Sequence, residues 1–333
     1  MIITRTPFRV SFFGGGTDYP DWYSQNGGIV VSTTINKYCY VVVRYLPPFF
    51  NHKYRIRYLR TENVNSITEI EHPSVRECLR YINPEIGIEM VHTSDIPARS
   101  GIGSSSAFTV GFLNALNALS GRLITKRELA ADALKIEQEI LQENVGSQDQ
   151  VASAFGGLNK IEFGGPGNFV VTPIPVSRDK SEYLQSCLML FFTGISRIAN
   201  DIAAEQIRNT KNLYTELLEM SQLADHAVGA FSLAPEALIK EFGRLLDESW
   251  QIKRGLTKII TTHAIDEMYS RAIIAGALGG KLLGAGGGGF MLLIAEPPLH
   301  KKIKEALSGF LYVPFAFEEL GSQVTLYSKQ DFY

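Results

Sequence analysis

The stretch Asp95-Ile-Pro-Ala-Arg-Ser-Gly-Ile-Gly-Ser-Ser-Ser-Ala-Phe108 sets Gly101, Gly103 and the serines 104–106 in front of an apolar run with helical spacing. Glycines let a backbone close on an anion, and a following helix aims unpaired N–H groups and the positive end of its dipole at that loop. The segment therefore reads as a phosphate-binding loop, with serine hydroxyls as short donors or as ligands to a magnesium ion. No lysine follows Gly103 as a Walker A loop requires, and Ser106 stands where a dinucleotide fingerprint needs a small third residue. Gly103 to Ala107 also resembles a degenerate nucleophile elbow, with Ser105 attacking an acyl carbon and His263 or His300 as base. Against this, the strand-like Ile86–Ser94 is separated from Gly103 by a loop containing Pro97. The plainest alternative is a Gly/Ser turn capping a helix.

Outward from this loop the first half alternates strand-like runs (2–13, 28–46, 54–59, 87–94) with helices expected at about 105–119 and 126–142. The second helix opens on a capping box, Thr125 and Glu128. Strands are expected at 169–176 and 187–194, helices over 198–230, 235–255 and 263–277, a glycine-joined strand pair over 281–295, a helix over 298–310 and a last strand at 323–328. The fold class is α+β in two domains, residues 1–180 and 181–333.

The chain's 333 residues, 45% hydrophobic and 20% charged, suit two globular cores. A formal net charge of -2 with scattered basic residues gives no field for nucleic acid. Three distant cysteines, Cys39, Cys78 and Cys187, read as reduced structural thiols. No leader-like start or bilayer-length apolar run is evident, so a cytoplasmic protein with no membrane or nucleic-acid partner is expected.

Several polar residues stand out against this background. In the 126–142 helix Leu129, Ala130, Ala133, Leu134, Ile136, Ile140 and Leu141 form one apolar arc, with Glu137 in its middle. A carboxylate aimed inward needs a partner, a magnesium ion or a basic side chain. Asp149 follows in a loop that starts another helical turn; it is a candidate general base or an ordinary cap. Near the N-terminus Gly14, Gly15 and Gly16 precede Thr17, Asp18 and Tyr19, leaving bare backbone for a polyhydroxylated ligand, with Arg9 as a cation nearby; the alternative is a glycine hairpin closed by an Asx-turn. Gly284 and Gly286 to Gly289 crowd a strand pair, which calls for a backbone or ligand in close approach.

Taken together, PFRVSFFGGGTDY, PARSGIGSSSA and LLGAGGGGF resemble the three motifs of the GHMP small-molecule kinases, and the likeness spans nearly the whole chain. Within that family, GGGTDYPDWY, GGIVVSTTINKY, ENVGSQDQVASAFGGLNKIEF and FFTGISRIA are most similar to the D-glycero-D-manno-heptose 7-phosphate kinases. The resemblance implies an N-terminal βαβ-type nucleotide-binding domain, a ferredoxin-like C-terminal domain, and ATP-dependent phosphorylation of a sugar's anomeric hydroxyl. The cofactors implied are ATP and Mg2+, and the partner is a small-molecule sugar phosphate, with a homodimer as the assembly considered.

Carried residue by residue, the resemblance makes Asp149 the general base and Arg9 the cation beside the transferred group. Pro97, Arg99, Ser100, Gly101, Ile102, Gly103, Ser104, Ser105 and Ser106 would form the nucleotide loop, with Ser105 and Glu137 as magnesium ligands. Gly14 to Gly16, Thr17, Asp18, Tyr19, Arg197, Gly286 and Gly287 would meet the sugar. Gly14 to Gly16 replace the Gly-Glu-His of galactokinases, which argues against a galactose-shaped pocket. A distal phosphate on the sugar would need a further cation, for which Arg5, Arg99, Arg197 and Lys281 are the candidates.

Overall fold

The computed structural model describes residues 1–84, 86–98, 100–165, 167–194, 199–209 and 212–329, with only the backbone of 199–201. Its first half is built on two long antiparallel strands, β1 (Ile2–Phe13) and β2 (Gly28–Tyr45). They are joined by the glycine turn and by helix α1 (Pro20–Asn26), which starts on a proline suited to a first helical position. β1 alternates in burial as far as Arg5 and is then buried on both faces to Phe13. One face packs on α3 (Ser104–Leu119) and the other on α8 (Tyr214–Ala230) and α9 (Pro235–Leu256).

Around this pair lies a nine-stranded mixed sheet. β3 (Tyr54–Arg57) and β4 (Thr61–Val64) form a hairpin, α2 (Pro73–Ile82) crosses over, and β5 (Ile88–Ser94) returns parallel to β3 and antiparallel to β2. That unit is the β-α-β element that delivers the chain to the phosphate loop and α3. β6 (Leu158–Phe163) and β7 (Phe169–Pro173) extend the far end of β2 after α4 (Lys126–Leu134) and α5 (Gln148–Phe155).

After α6 (Arg178–Cys187) comes a second sheet, in the order β11 (Leu311–Tyr312), β8 (Leu188–Phe192), β10 (Phe290–Ile294), β9 (Gly279–Leu282), antiparallel throughout. Helices α7 (Ala199–Asn209), α8, α9 and α10 (His263–Ala275) connect β8 to β9, and α11 (His300–Ala306) connects β10 to β11. With the first crossover counted as one helical layer, this is the β-α-β-β-α-β order of a ferredoxin-like fold. Phe242 of α9 joins the two halves, its ring edge-on to Phe12 at 5.1 Å and to Phe13 at 4.9 Å.

Three features differ from the sequence expectation. The helix begun at Lys126 keeps its capping box but passes at Lys135–Ile140 into a π-helical stretch, with Leu141 N–H donating to Ile136 and Glu143 N–H to Glu137. The wider turn drops Ile140 from the apolar arc and exposes it, while Glu137 stays fully buried; such bulges are frequent at functional sites. α1, α2 and α6 occupy stretches for which the sequence pattern assigns no element, and α6 takes Cys187 from the expected strand. Finally, β12 (Phe317–Glu318) and β13 (Gln323–Tyr327) pair with β2 and β1, so the tail of the expected second unit, 181–333, returns to the first sheet. We keep the division near residue 180 as a proposal for where the first layer ends.

Candidate active site

Beyond Ser94 the chain leaves β5, and α3 begins at Ser104 on Gly103, whose φ of 75° is left-handed and which offers no side-chain cap. The first turn of α3 thus faces the cavity without a competing side-chain acceptor, as an anion-binding helix end requires. The glycine-rich turn between β9 and β10 packs directly on this loop. A Cβ on Gly101 would lie 2.7 Å from the Leu283 carbonyl, one on Gly284 2.5 Å from the Gly101 Cα, and one on Gly289 2.3 Å from the Ser100 carbonyl. The glycine density of the turn is explained by main chain lying against main chain.

Arg9, on β1 and almost fully buried, donates from Nε to Asp149 Oδ1 at 2.8 Å and from Nη1 to the Gly101 carbonyl at 2.9 Å. Its own backbone N–H reaches Ile102 O at 3.2 Å. One guanidinium therefore fixes the phosphate loop and orients the aspartate in the first turn of α5.

The glycine turn after β1 divides its labour. Thr17 closes it internally, its hydroxyl donating to Gly14 O and Ile29 O, and Gly14 packs on the Ile29 carbonyl, so neither lines the cavity. Gly15, Gly16, Asp18 and Tyr19 do line it. Asp18 accepts from Gly16 N–H at 2.9 Å and from Gln148 Nε2 at 3.0 Å. Burial and the neighbouring Asp149 charge push its pKa up, against these hydrogen bonds. The Tyr19 hydroxyl donates to Gln206 on α7, whose amide in turn donates to Ala285 O, closing this end of the cavity across both halves.

Glu137 is fully buried behind the loop. Oε2 accepts from Ser106 Oγ at 2.8 Å and Gln150 Nε2 at 2.5 Å, while Oε1 has no partner. Burial above all pushes its pKa up to about 7, with the Glu143 charge adding and the hydroxyl and amide donors opposing. An orphaned buried carboxylate oxygen beside serine hydroxyls fits a hard divalent cation that also takes phosphate oxygens. Among the described residues there is no cluster of three His, Cys, Asp or Glu side chains that could hold a metal. The serine that contacts Glu137 is Ser106; Ser105, the expected ligand, is exposed on the cavity wall.

A cavity of about 1270 Å³ joins Arg9, Asp18, Tyr19 and Asp149, while Glu137 lies behind its wall. Pro97, Gly101, Gly103, Ser104, Ser105 and Ser106 line it, whereas Ile102 is a core plug and Ser100 is buried behind the loop. At one end Phe108 meets His72 at 5.4 Å and His92 at 5.0 Å, with Tyr58 edge-on to His72, an aromatic wall broad enough for a base. Burial holds both histidines below their usual pKa and so favours the neutral rings.

Gly286 and Gly287 are not on the cavity wall. A Cβ on Gly286 would touch Ile260, and Gly287 N–H donates to Ile260 O at 2.7 Å; Gly284 and Ala285 line the cavity instead. Of the cations considered for a distal phosphate, Arg5 lies over the Tyr38 ring and bonds Gln323, and Lys281 is buried on Phe12 O, so neither faces the cavity. Arg99 and Arg197 lie outside the described residues. His263 and His300, the bases of a hydrolase, are absent from the cavity wall. Gln148, Gln206 and Lys253 were not singled out in the sequence. Lys253 carried a legible signal, a lone cation at helical spacing with Leu246, Trp250 and Leu256.

Comparison with known proteins shows which family the chain belongs to. Residues 73–157 match the family model "GHMP kinases N terminal domain" and residues 232–313 match "GHMP kinases C terminal". The D-glycero-alpha-D-manno-heptose 7-phosphate kinase of Campylobacter jejuni is 30% identical over 92% of this chain and 93% of its own. The chain belongs to the GHMP kinases. A second relative of this GHMP kinase, the L-fucokinase/L-fucose-1-P guanylyltransferase of Bacteroides fragilis, is 27% identical over 88% of this chain and 34% of its own length. The crystal structure of a D-glycero-D-manno-heptose 1-phosphate kinase from Bacteroides thetaiotaomicron superposes with a TM-score of 0.79 over 98% of this chain and 100% of that one, at 24% identity, and shows the shared fold.

As a GHMP kinase the protein is an ATP-dependent phosphotransferase with an alcohol acceptor, and its relatives make it a sugar kinase. Its substrates are small molecules, and no helix among the described residues is long and apolar enough to cross a membrane.

Proposed function

We propose that this kinase transfers the γ-phosphoryl group of ATP to the anomeric hydroxyl of D-glycero-D-manno-heptose 7-phosphate, giving the 1,7-bisphosphate. The observation that carries the reading is the contact of Arg9 with both Asp149 and Gly101, which sets a carboxylate at the junction of the phosphate loop and the Asp18–Tyr19 end of the cavity. The 30% identity with a heptose 7-phosphate kinase along nearly the full length of both chains supports the acceptor. So does the bare Gly15–Gly16 backbone, which leaves room for a seven-carbon sugar.

In this reading the nucleotide base lies against Phe108, His72 and Tyr58, and its phosphates lie over Gly101 to Ser106. Asp18 accepts hydrogen bonds from sugar hydroxyls. Asp149 takes the proton of the C1 hydroxyl as its oxygen attacks the γ-phosphorus and ADP departs, and Arg9 offsets charge on the transferring group. Ser105 and Glu137 would hold Mg2+, which neutralises charge on the β- and γ-phosphoryl oxygens when bound. An anomeric hydroxyl is more acidic than an ordinary alcohol, which eases its deprotonation by a carboxylate. Three buried cysteines, none in a disulfide, fit a cytoplasmic setting.

The test is ADP release from ATP and magnesium with heptose 7-phosphate, unphosphorylated heptose, mannose, fucose and galactose. Turnover restricted to the 7-phosphate is expected. Equal or faster turnover of fucose or free heptose would keep the kinase and replace its substrate.

A further inference from the structure

One buried cation on the cavity wall has no part in the chemistry above. Lys253, in the last turn of α9, is 5% exposed and lines the cavity beside Gly284 and Ala285. Its Nζ donates to Leu282 O at 2.8 Å and to Gly284 O at 2.5 Å. Among the described residues no carboxylate lies within ion-pairing distance of it. Two carbonyls use two of the three N–H groups of an ammonium. A buried ammonium needs a counter-charge, and the protein supplies none in contact. Burial accordingly drives its pKa well down, Lys281 and Arg9 push the same way, and only Asp18 opposes them. Arg9, Asp18 and Asp149 line the same cavity, so the ammonium head shares a wall with the groups that flank phosphoryl transfer.

We propose that Lys253 is a phosphoryl-contacting residue, which offers the N–H not taken by Leu282 and Gly284 to a phosphoryl oxyanion bound in the cavity. The assignment rests on the kinase reading but not on the identity of the sugar. The oxyanion has two sources, the nucleotide's terminal phosphoryl group or a phosphate carried by the acceptor. Because Gly284 lies against Gly101, the same side chain also braces the phosphate loop through the glycine turn.

Calorimetric titrations of the full chain separate contact from bracing. The non-hydrolysable ATP analogue AMPPNP, which carries a terminal phosphoryl group, is titrated into wild type and Lys253→Met, and inorganic phosphate is then titrated into each protein saturated with AMPPNP, every titration in two buffers of different ionisation enthalpy. Whichever ligand meets Lys253 should bind wild type with proton uptake. In Lys253→Met that uptake should vanish and affinity should fall roughly tenfold or more, with the other ligand unaffected. A change in the AMPPNP arm assigns the nucleotide, and a change in the phosphate arm, where the terminal phosphoryl position is already filled, assigns the acceptor's phosphate. If Lys253→Met does not fold, Lys253→Gln, which keeps N–H donors and removes the charge, takes its place. Equal affinity and equal proton uptake for both ligands, in variant and wild type, would make Lys253 a strut only and overturn the assignment. Failure to phosphorylate heptose 7-phosphate would sink the substrate reading and leave both titrations standing.

Discussion

Gly101 and Gly284 stand with their backbones in contact, so that a Cβ on Gly284 would fall 2.5 Å from the Gly101 Cα. The phosphate loop of the first half is thereby seated on a turn of the second, and both glycines are left-handed, with φ of 80° and 68°. Gly284→Ala should cost stability by about 1–3 kcal/mol from strain and also displace the loop. Its melting temperature should fall and its KM for ATP should rise; an alanine variant with unchanged KM for ATP would refute the mechanical link.

The Arg9–Asp149 contact predicts a separation of chemistry from binding. Asp149→Asn keeps an acceptor for Arg9 but loses the base, so turnover should drop by roughly a hundredfold or more. ADP affinity, measured directly, should hardly change. Loss of ADP binding in that variant would mean that Asp149 supports the loop rather than the reaction.

Glu137 couples stability to pH. Its folded pKa of about 7 lies above the ordinary 4.5, so the folded state binds the proton more tightly. The stabilisation this gives is complete below the unfolded pKa and is lost as pH rises through about 7, a span worth about 3 kcal/mol. Glu137→Gln, which cannot ionise, should therefore melt higher than wild type at about pH 8 without magnesium, should lose that advantage in acid, and should be inactive. With nucleotide present, added magnesium should raise the melting temperature of wild type further but not that of the variant. A variant that melts lower at every pH would show that the carboxylate is a structural hydrogen-bond acceptor.

Gln206 ties Tyr19 of the first half to Ala285 of the second. Removing one such bridge costs about 1 kcal/mol. Gln206→Ala should thus raise KM for the sugar about fivefold and leave KM for ATP alone. A shift in KM for ATP alone would reverse the assignment of the two ends of the cavity.

The candidate residues of the site stand out in the sequence where a local pattern conflicts with its surroundings. Glu137 interrupts an apolar arc, three serines follow two glycines, and glycines crowd a strand pair; each is a local anomaly that needs a ligand or a close backbone. The helix-to-π transition after Leu134 was not legible, because one extra residue in a turn changes no composition and only shifts Ile140 to solvent. Gly286 and Gly287 were expected on the wall in place of Gly284 and Ala285, since a run of glycines does not say which of them meets a neighbouring chain segment. The period-2 pattern at Gln323–Tyr327 marked a strand but not its partner; pairing with Ile2–Arg5 across the whole chain is a long-range choice. Lys253 is hard to read from sequence because a single charge on an apolar helix face does not distinguish a buried cation from a side chain that reaches solvent.

The most direct test of the central claim is the phosphorus NMR spectrum of the product made from ATP, magnesium and D-glycero-D-manno-heptose 7-phosphate. The account predicts a second sugar-phosphate signal coupled to the anomeric proton, with the original 7-phosphate signal retained. A new phosphate coupled to any other sugar proton, or ADP formed with no sugar bisphosphate, would contradict it.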